Sequence, residues 1–234
     1  MDDHTLMGIY ADTLFTYDTR GQMLLTNEPC AVARRPAPRL FLGCTPAGQV
    51  VRIGATVPDD LARPLEEIIE RHPPTASLHA PAAALSAVRE ALSQHAPLTQ
   101  EESGPAYHFP PSITPPGEAV RLTEANVEVA RQTYPWLLEE LADWEPCFAV
   151  VHNEAAVSVC FSSRIGTDAE AAGVETLPAF RGRGYAAAVT AAWGAAVRER
   201  GRIPIYSTMW ENLASQGVAR RLGLILFGAE TTWA

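Results

Sequence analysis

The chain has 234 residues, 47% hydrophobic and 19% charged, with a formal net charge of −9 at pH 7. That length suits one large or two small domains with a substantial core, and the negative balance argues against a nucleic-acid partner. No apolar run is long enough to span a bilayer, and the acidic start Met1-Asp2-Asp3-His4 is unlike a signal peptide, so no membrane partner and a cytoplasmic location are expected. Residues 1 to about 30 read as a short helix and a hairpin, with Leu14–Tyr17 and Met23–Thr26 flanking the turn residues Asp18-Thr19-Arg20-Gly21. Ala31 to Pro38 reads as a loop. Arg39–Cys44 and Gln49–Ile53 form a second hairpin around Pro46-Ala47-Gly48. A helix starts at Pro58-Asp59-Asp60, carries Leu61, Leu65, Ile68 and Ile69 on one face, and ends before Pro73-Pro74; another spans Ala82–His95.

Residues 1–104 are therefore expected to form a smaller α+β domain. The five prolines between Ser103 and Gly117 mark residues 105–117 as a semi-rigid linker to a second domain at 118–234. In that domain Val120–Leu122 reads as a strand, Thr123 as the cap of a helix to about Gln132, and Trp136–Leu141 as a second helix. A hairpin follows, Cys147–Val151 and Ala156–Ser162.

The informative stretch runs from Gly173 to Arg202. Gly173–Leu177 is β-prone and Pro178 ends it. Gly182 and Gly184 permit a tight turn with outward N–H groups. The helix beyond is Ala-rich, with Arg198, Arg200 and Arg202 near its far end and Gly201 as its stop. Its N-terminus presents free N–H groups and a partial positive charge, suited to a phosphate or pyrophosphate. A P-loop is excluded because the chain has no Lys. Arg202–Thr208 then reads as a strand, Asn212 as an N-cap with Ser215 at N3, and Ala214, Val218 and Leu222 as a helical stripe stopped by Gly223.

Arg181-Gly182-Arg183-Gly184-Tyr185-Ala186 resembles the acyl-CoA-binding motif of the GNAT superfamily of N-acyltransferases, Arg/Gln-x-x-Gly-x-Gly/Ala between a strand and a helix. The later Asn-x-x-Ser, helix and Leu-Gly-Leu are similar to the closing segment of the branch near the glycine N-acyltransferases. The resemblance covers about Gly117 to Phe227. It implies an α/β (mixed α+β) GNAT-type fold with a central mixed sheet, and acetyl-CoA as acyl donor. The acceptor would be the amine of a small molecule or peptide. The implied cofactor-binding residues are Thr176, Leu177, Arg181, Gly182, Arg183, Gly184, Tyr185, Ala186, Asn212 and Ser215. In some relatives the N-terminal half is a degenerate copy of the same fold.

Transfer from a thioester to an amine needs a base, alignment and protonation of the leaving thiolate, without a nucleophilic residue. Glu175, on the strand beside the expected thioester, is the candidate base; an ion pair with Arg164 is the competing structural role. Many family members place a Tyr where this chain has Ala219, so Ser215 is the remaining catalytic candidate there, and a non-catalytic acyl-CoA-binding module is the alternative reading. Tyr206 and Tyr185 read as packing. Trp136, Trp144 and Trp210 could wall an acceptor pocket. Neither Cys30, Cys44, Cys147 and Cys160 nor the six His show ligand spacing, so no metal is expected. The resemblance implies two closing strands, whereas the residues after Gly223 leave room for one and a tail. The uncovered edge would suit a homodimer partner.

Overall fold

The computed structural model describes residues 1–30, 32, 34–73, 78–79, 83–114 and 117–234. Its first elements are α1 (Asp3–Leu14), β1 (Phe15–Tyr17), β2 (Met23–Thr26), β3 (Leu40–Thr45), β4 (Gly48–Ile53), α2 (Asp59–Glu70), α3 (Leu85–His95) and β5 (Glu101–His108). Then come β6 (Val120–Arg121), α4 (Leu137–Glu140), β7 (Phe148–His152), β8 (Ala155–Ile165), β9 (Ala169–Thr176), α5 (Tyr185–Glu199), β10 (Ile203–Ser207), α6 (Leu213–Leu222) and β11 (Ile225–Trp233). The expected helix start at Ala82, the second Pro of Pro73-Pro74, and the linker prolines Pro115 and Pro116 lie outside the described residues. Among the described residues no helix is long and apolar enough to cross a membrane.

Nine strands form one sheet in the order β4-β3-β11-β5-β10-β9-β8-β7-β6, and every neighbouring pair is antiparallel except β9 with β10. This is the mixed α/β arrangement that the resemblance implies. Helix α5 covers one face, where Val189, Trp193 and Val197 pack with Val157, Cys160 and Tyr206. The opposite face is covered by α1 through Met7 and Tyr10, packed with Ala171, Ile205 and Phe227. Beside α1, the segment 122–141 packs Leu122, Tyr134 and Leu137 against Val159 and Phe161. Helices α2 and α3 bury Leu65, Ile69, Val88 and Leu92 with Leu40 and Trp233.

Two expectations are corrected. Residues 105–108 are not linker: they complete β5, which lies between β10 and β11, with Tyr107 opposite both Tyr206 and Leu226. The alternating small and aromatic residues Ala106, Tyr107 and Phe109 bury on both faces, and this packing outweighs the proline count of the stretch. Residues 1–104 accordingly share the main sheet through β3, β4 and β5. The closing edge is not open either, because Gly228–Trp233 extend β11 and both of its sides are paired, to β5 and β3. The reason given for a partner subunit at that edge is thereby removed.

The helical pair after β6 is also shorter than expected. Asn126 Oδ1 accepts from the Thr123 N–H at 2.8 Å, a local turn in place of a Thr123 cap. Only a 3-10 turn at Val127–Ala130 and the short α4 follow.

Candidate active site

Strands β9 and β10 pair at only three positions, Ile203 with Ala169, Pro204 with Glu170 and Ile205 with Ala171. Beyond Ala171 they part, although β9 runs on to Thr176 with β8 at its other side. The Glu175 carbonyl accepts from Ser158 Oγ, and the Leu177 N–H donates to Val157 O, both on the β8 side. By strand alternation the backbone groups of Val174 and Thr176 face the gap. An extended amide-bearing chain could add to this edge as a strand would.

At the end of β9, Pro178–Phe180 form a 3-10 turn and the chain turns through Gly182 (φ 76°) and Gly184 (φ 87°) into α5. Positive φ at both positions is what glycine supplies without steric cost. Gly184 also faces a close neighbour: a Cβ there would lie 2.9 Å from the Arg221 guanidinium. The first N–H after the turn to find a helical acceptor is that of Ala188, on Gly184 O. Among the described residues the N–H groups of Gly182 through Ala187 have no protein acceptor. They and the positive end of the α5 dipole make an anion cradle, with the Arg221 guanidinium over it.

Gap and cradle open into one cavity of about 670 Å³. Its wall includes Glu175, Thr176, Leu177, Arg181, Gly182, Gly184, Tyr185, Ala186, Asn212 and Ser215, so the structure brings these sequence-derived candidates together. Arg183 does not reach the wall: its guanidinium lies 5.1 Å from the Phe180 ring centroid and donates to Ala179 O. Arg181 donates through Nε to Thr176 O at 3.2 Å, pinning the end of β9 to the turn. Asn212 caps α6, its Oδ1 accepting from the Ser215 N–H at 3.0 Å, as the sequence pattern predicts.

Glu175 stands on the β9 face that carries the segment 122–141, and its side chain opens to the cavity. Burial against neighbouring protein raises its pKa above the ordinary carboxylate value. Its expected competitor role is excluded, because Arg164 instead pairs with Glu28 at 2.6 Å.

Three wall residues were missed or undervalued in the sequence. Tyr134 is buried, donates to Val157 O, and has its pKa raised to about 12 by burial and then by the Glu175 charge. Arg221 stands beside Arg220 in the sequence, but only the packing of α6 over Gly184 assigns it to the cradle. Tyr206, read as packing, is only 3% exposed yet holds its hydroxyl 2.6 Å from Ser215 Oγ at the cavity wall. Burial pushes this phenol to about 12, and the Ser215 hydrogen bond opposes that shift. Ala219 is fully buried in the same core cluster as Tyr206. The three tryptophans do not wall the cavity. Trp136 and Trp144 pack edge-on around Phe161, and Trp210 lies against His79.

The GNAT acetyltransferase family model matches residues 146–229, about a third of the chain, and this stretch contains every candidate from Glu175 to Ser215. The segment that builds the gap and the turn lies within the stretch that the GNAT acetyltransferase model matches. No curated protein matches the sequence. Among solved structures, a GNAT-family acetyltransferase from Colwellia psychrerythraea is 14% identical, over 99% of this chain and 95% of that one, with a TM-score of 0.49. A GNAT-family acetyltransferase from Novosphingobium aromaticivorans is 20% identical, over 58% of this chain and 65% of that one, at 0.43. A GCN5-related N-acetyltransferase-like protein from Streptococcus suis is 20% identical, over 58% and 62%, at 0.44. The chain spans a little under two thirds of the length of the latter two.

Proposed function

We propose that the protein is an acyl-CoA-dependent N-acyltransferase that moves an acetyl group from acetyl-CoA directly to an amine. The observation that carries this reading is that the parting of β9 and β10 opens into the same cavity as six N–H groups without a protein acceptor among the described residues, with Glu175 on the strand that borders the gap. The N–H groups of residues 182–187 and the Arg221 guanidinium hold the pyrophosphate. The Val174 N–H and carbonyl and the Thr176 N–H pair with the amides of the pantetheine arm and so direct the thioester toward Glu175; the Thr176 carbonyl is held by Arg181. Thr176, Leu177, Tyr185, Ala186 and Asn212 line its path, and Arg181 fixes the strand end. The closing Asn212–Ser215 cap and Leu222-Gly223 stop support the branch near the glycine N-acyltransferases.

In the reaction Glu175 takes a proton from the acceptor ammonium, and the freed amine attacks the thioester carbon. As the carbon–sulfur bond breaks, the Tyr206–Ser215 hydroxyl pair gives a proton to the departing sulfur, and the proton that the nitrogen sheds on becoming an amide passes to solvent, from which the pair is reprotonated. Desolvation raises the Glu175 pKa above the ordinary carboxylate value and so makes it a stronger base than an exposed carboxylate. Burial keeps the Tyr206 phenol protonated and therefore a donor. This pair supplies at the sulfur end what Ala219 cannot.

The test is release of CoA thiol from acetyl-CoA in the presence of a panel of small amines and peptide N-termini. Amine-dependent release with formation of the N-acetyl product supports the transferase. Tight acetyl-CoA binding without release for any amine would favour the non-catalytic acyl-CoA-binding module.

A further inference from the structure

We infer that a second cavity, on the α1 face of the sheet and holding the Glu230–Tyr10–Ser207 cluster, is the pocket for the acceptor, and that it takes a small molecule bearing an ammonium group. The inference rests on the acyltransferase reading. The cavity has a volume of about 430 Å³, enough for a small amine but not for a folded partner. Its floor is the same parting of β9 and β10, reached from the opposite side: Ala171 is the last β9 residue paired with β10, and Ser207 is the last residue of β10. Ser207 lies two residues past Ile205, and Glu175 four residues past Ala171, about 13 Å along β9 at the rise of a strand. The cavity therefore sits at the mouth of the parting that leads along β9 toward the candidate base.

The polar groups suit a cation. Tyr10 reaches down from α1, with its hydroxyl 2.6 Å from Ser207 Oγ and 2.9 Å from Glu230 Oε1. Glu230 has no cationic partner among the described residues, and Glu102 on β5 adds a second negative charge to the wall. Two arginines also border the cavity. Arg164 is neutralised by Glu28 at 2.6 Å, and Arg35 is exposed. A partly buried carboxylate with hydroxyl donors from Tyr10 and Ser207 but no counter-ion is stabilised by an incoming ammonium, whereas a neutral guest leaves its charge unpaired. Burial holds Glu230 at about 7, consistent with a carboxylate that lacks its cation.

The experiment titrates n-butylamine, benzylamine and ethanolamine into the full-length protein saturated with CoA. n-Butanol and benzyl alcohol serve as neutral controls, and the proteins are wild type, Glu230→Gln and Ser207→Val. At least one amine is expected to bind the wild type and to bind Glu230→Gln about tenfold or more weakly, a typical effect of removing one partner of a desolvated charge pair. Ser207→Val, which narrows the cavity without removing the carboxylate, is expected to weaken the same amine, and the alcohols are expected to show no dependence on Glu230. CoA affinity, measured alongside, is expected to be unchanged in both variants and reports that they are folded. Failure of every amine to bind the CoA-loaded wild type, or equal amine affinity in Glu230→Gln, would overturn the assignment. Failure of CoA itself to bind the wild type would instead remove the acyltransferase reading and the assignment with it.

Discussion

Tyr206 and Ser207 are consecutive residues of β10 that serve opposite sides of the sheet. The Tyr206 hydroxyl meets Ser215 in the larger cavity, and Ser207 Oγ meets Tyr10 in the smaller one. Strand alternation turns neighbouring side chains to opposite faces; on β9 the smaller cavity is lined by Ala171 and Ala172, where the pairing with β10 ends, and the larger one by Val174, Glu175 and Thr176 beyond it. Donor and acceptor could thus approach the parting from opposite faces of the sheet.

The leaving thiolate is assigned to the Tyr206–Ser215 pair. Tyr206→Phe keeps the ring in its core place beside Tyr107 but removes the donor. Its kcat is expected to fall about ten- to a hundredfold, in the range of acid–base contributions, with acetyl-CoA affinity within a few-fold of wild type. Ser215→Ala should show a smaller loss in the same direction. Steady-state kinetics beside calorimetric titration separates the two effects.

Glu175 as base predicts a pH limb. Because desolvation raises its pKa, kcat/KM should climb with pH until the carboxyl has ionised, at a higher pH than an ordinary carboxylate would give. Glu175→Gln should lower kcat by about 10²–10⁴-fold and abolish that limb. CoA binding, which uses the turn, should be retained.

Much of this was legible in the sequence. The glycine turn, the Asn212 cap and the Gly223 stop depend on local chain chemistry, and the structure puts them where the pattern does. Both N-terminal hairpins were legible for the same reason. What was not legible is non-local. Nothing in Glu101–His108 announces that it will enter the sheet between β10 and β11, because its partners lie about a hundred residues away. Arg221 and Tyr134 join the site only through the packing of α6 and of the segment before α4. The Glu175–Arg164 pairing was plausible on the sequence and failed because Glu28, from the N-terminal part, reaches Arg164 first.

The cradle predicts two graded losses. Gly182→Ala meets open space and costs only the left-handed backbone, about 1–2 kcal/mol of stability. Arg221→Ala leaves the fold intact and should weaken acetyl-CoA about tenfold through loss of a charge-assisted phosphate contact. Thermal melts and titration of the two variants check the division of effects.

Glu230 carries a pH-dependent penalty. Its folded pKa of about 7 exceeds the ordinary 4.5, so between those values the folded protein holds a proton that the unfolded chain has lost. Stability therefore falls as pH rises through that window, and the full penalty is present above about 7. Glu230→Gln should melt like wild type near pH 4.5 and above it at pH 8. The gain should be about 1–3 kcal/mol, toward the lower figure because the residue borders a cavity that admits water. A variant less stable than wild type at pH 8 would contradict this.

The most direct test of the central claim is calorimetric titration of acetyl-CoA and CoA into the intact protein and into Gly184→Trp, whose indole would fill the cradle. The account predicts binding with a Kd on the order of 10 μM by the wild type, lost in the variant. Absence of binding by the wild type, or undiminished binding by Gly184→Trp, would contradict it.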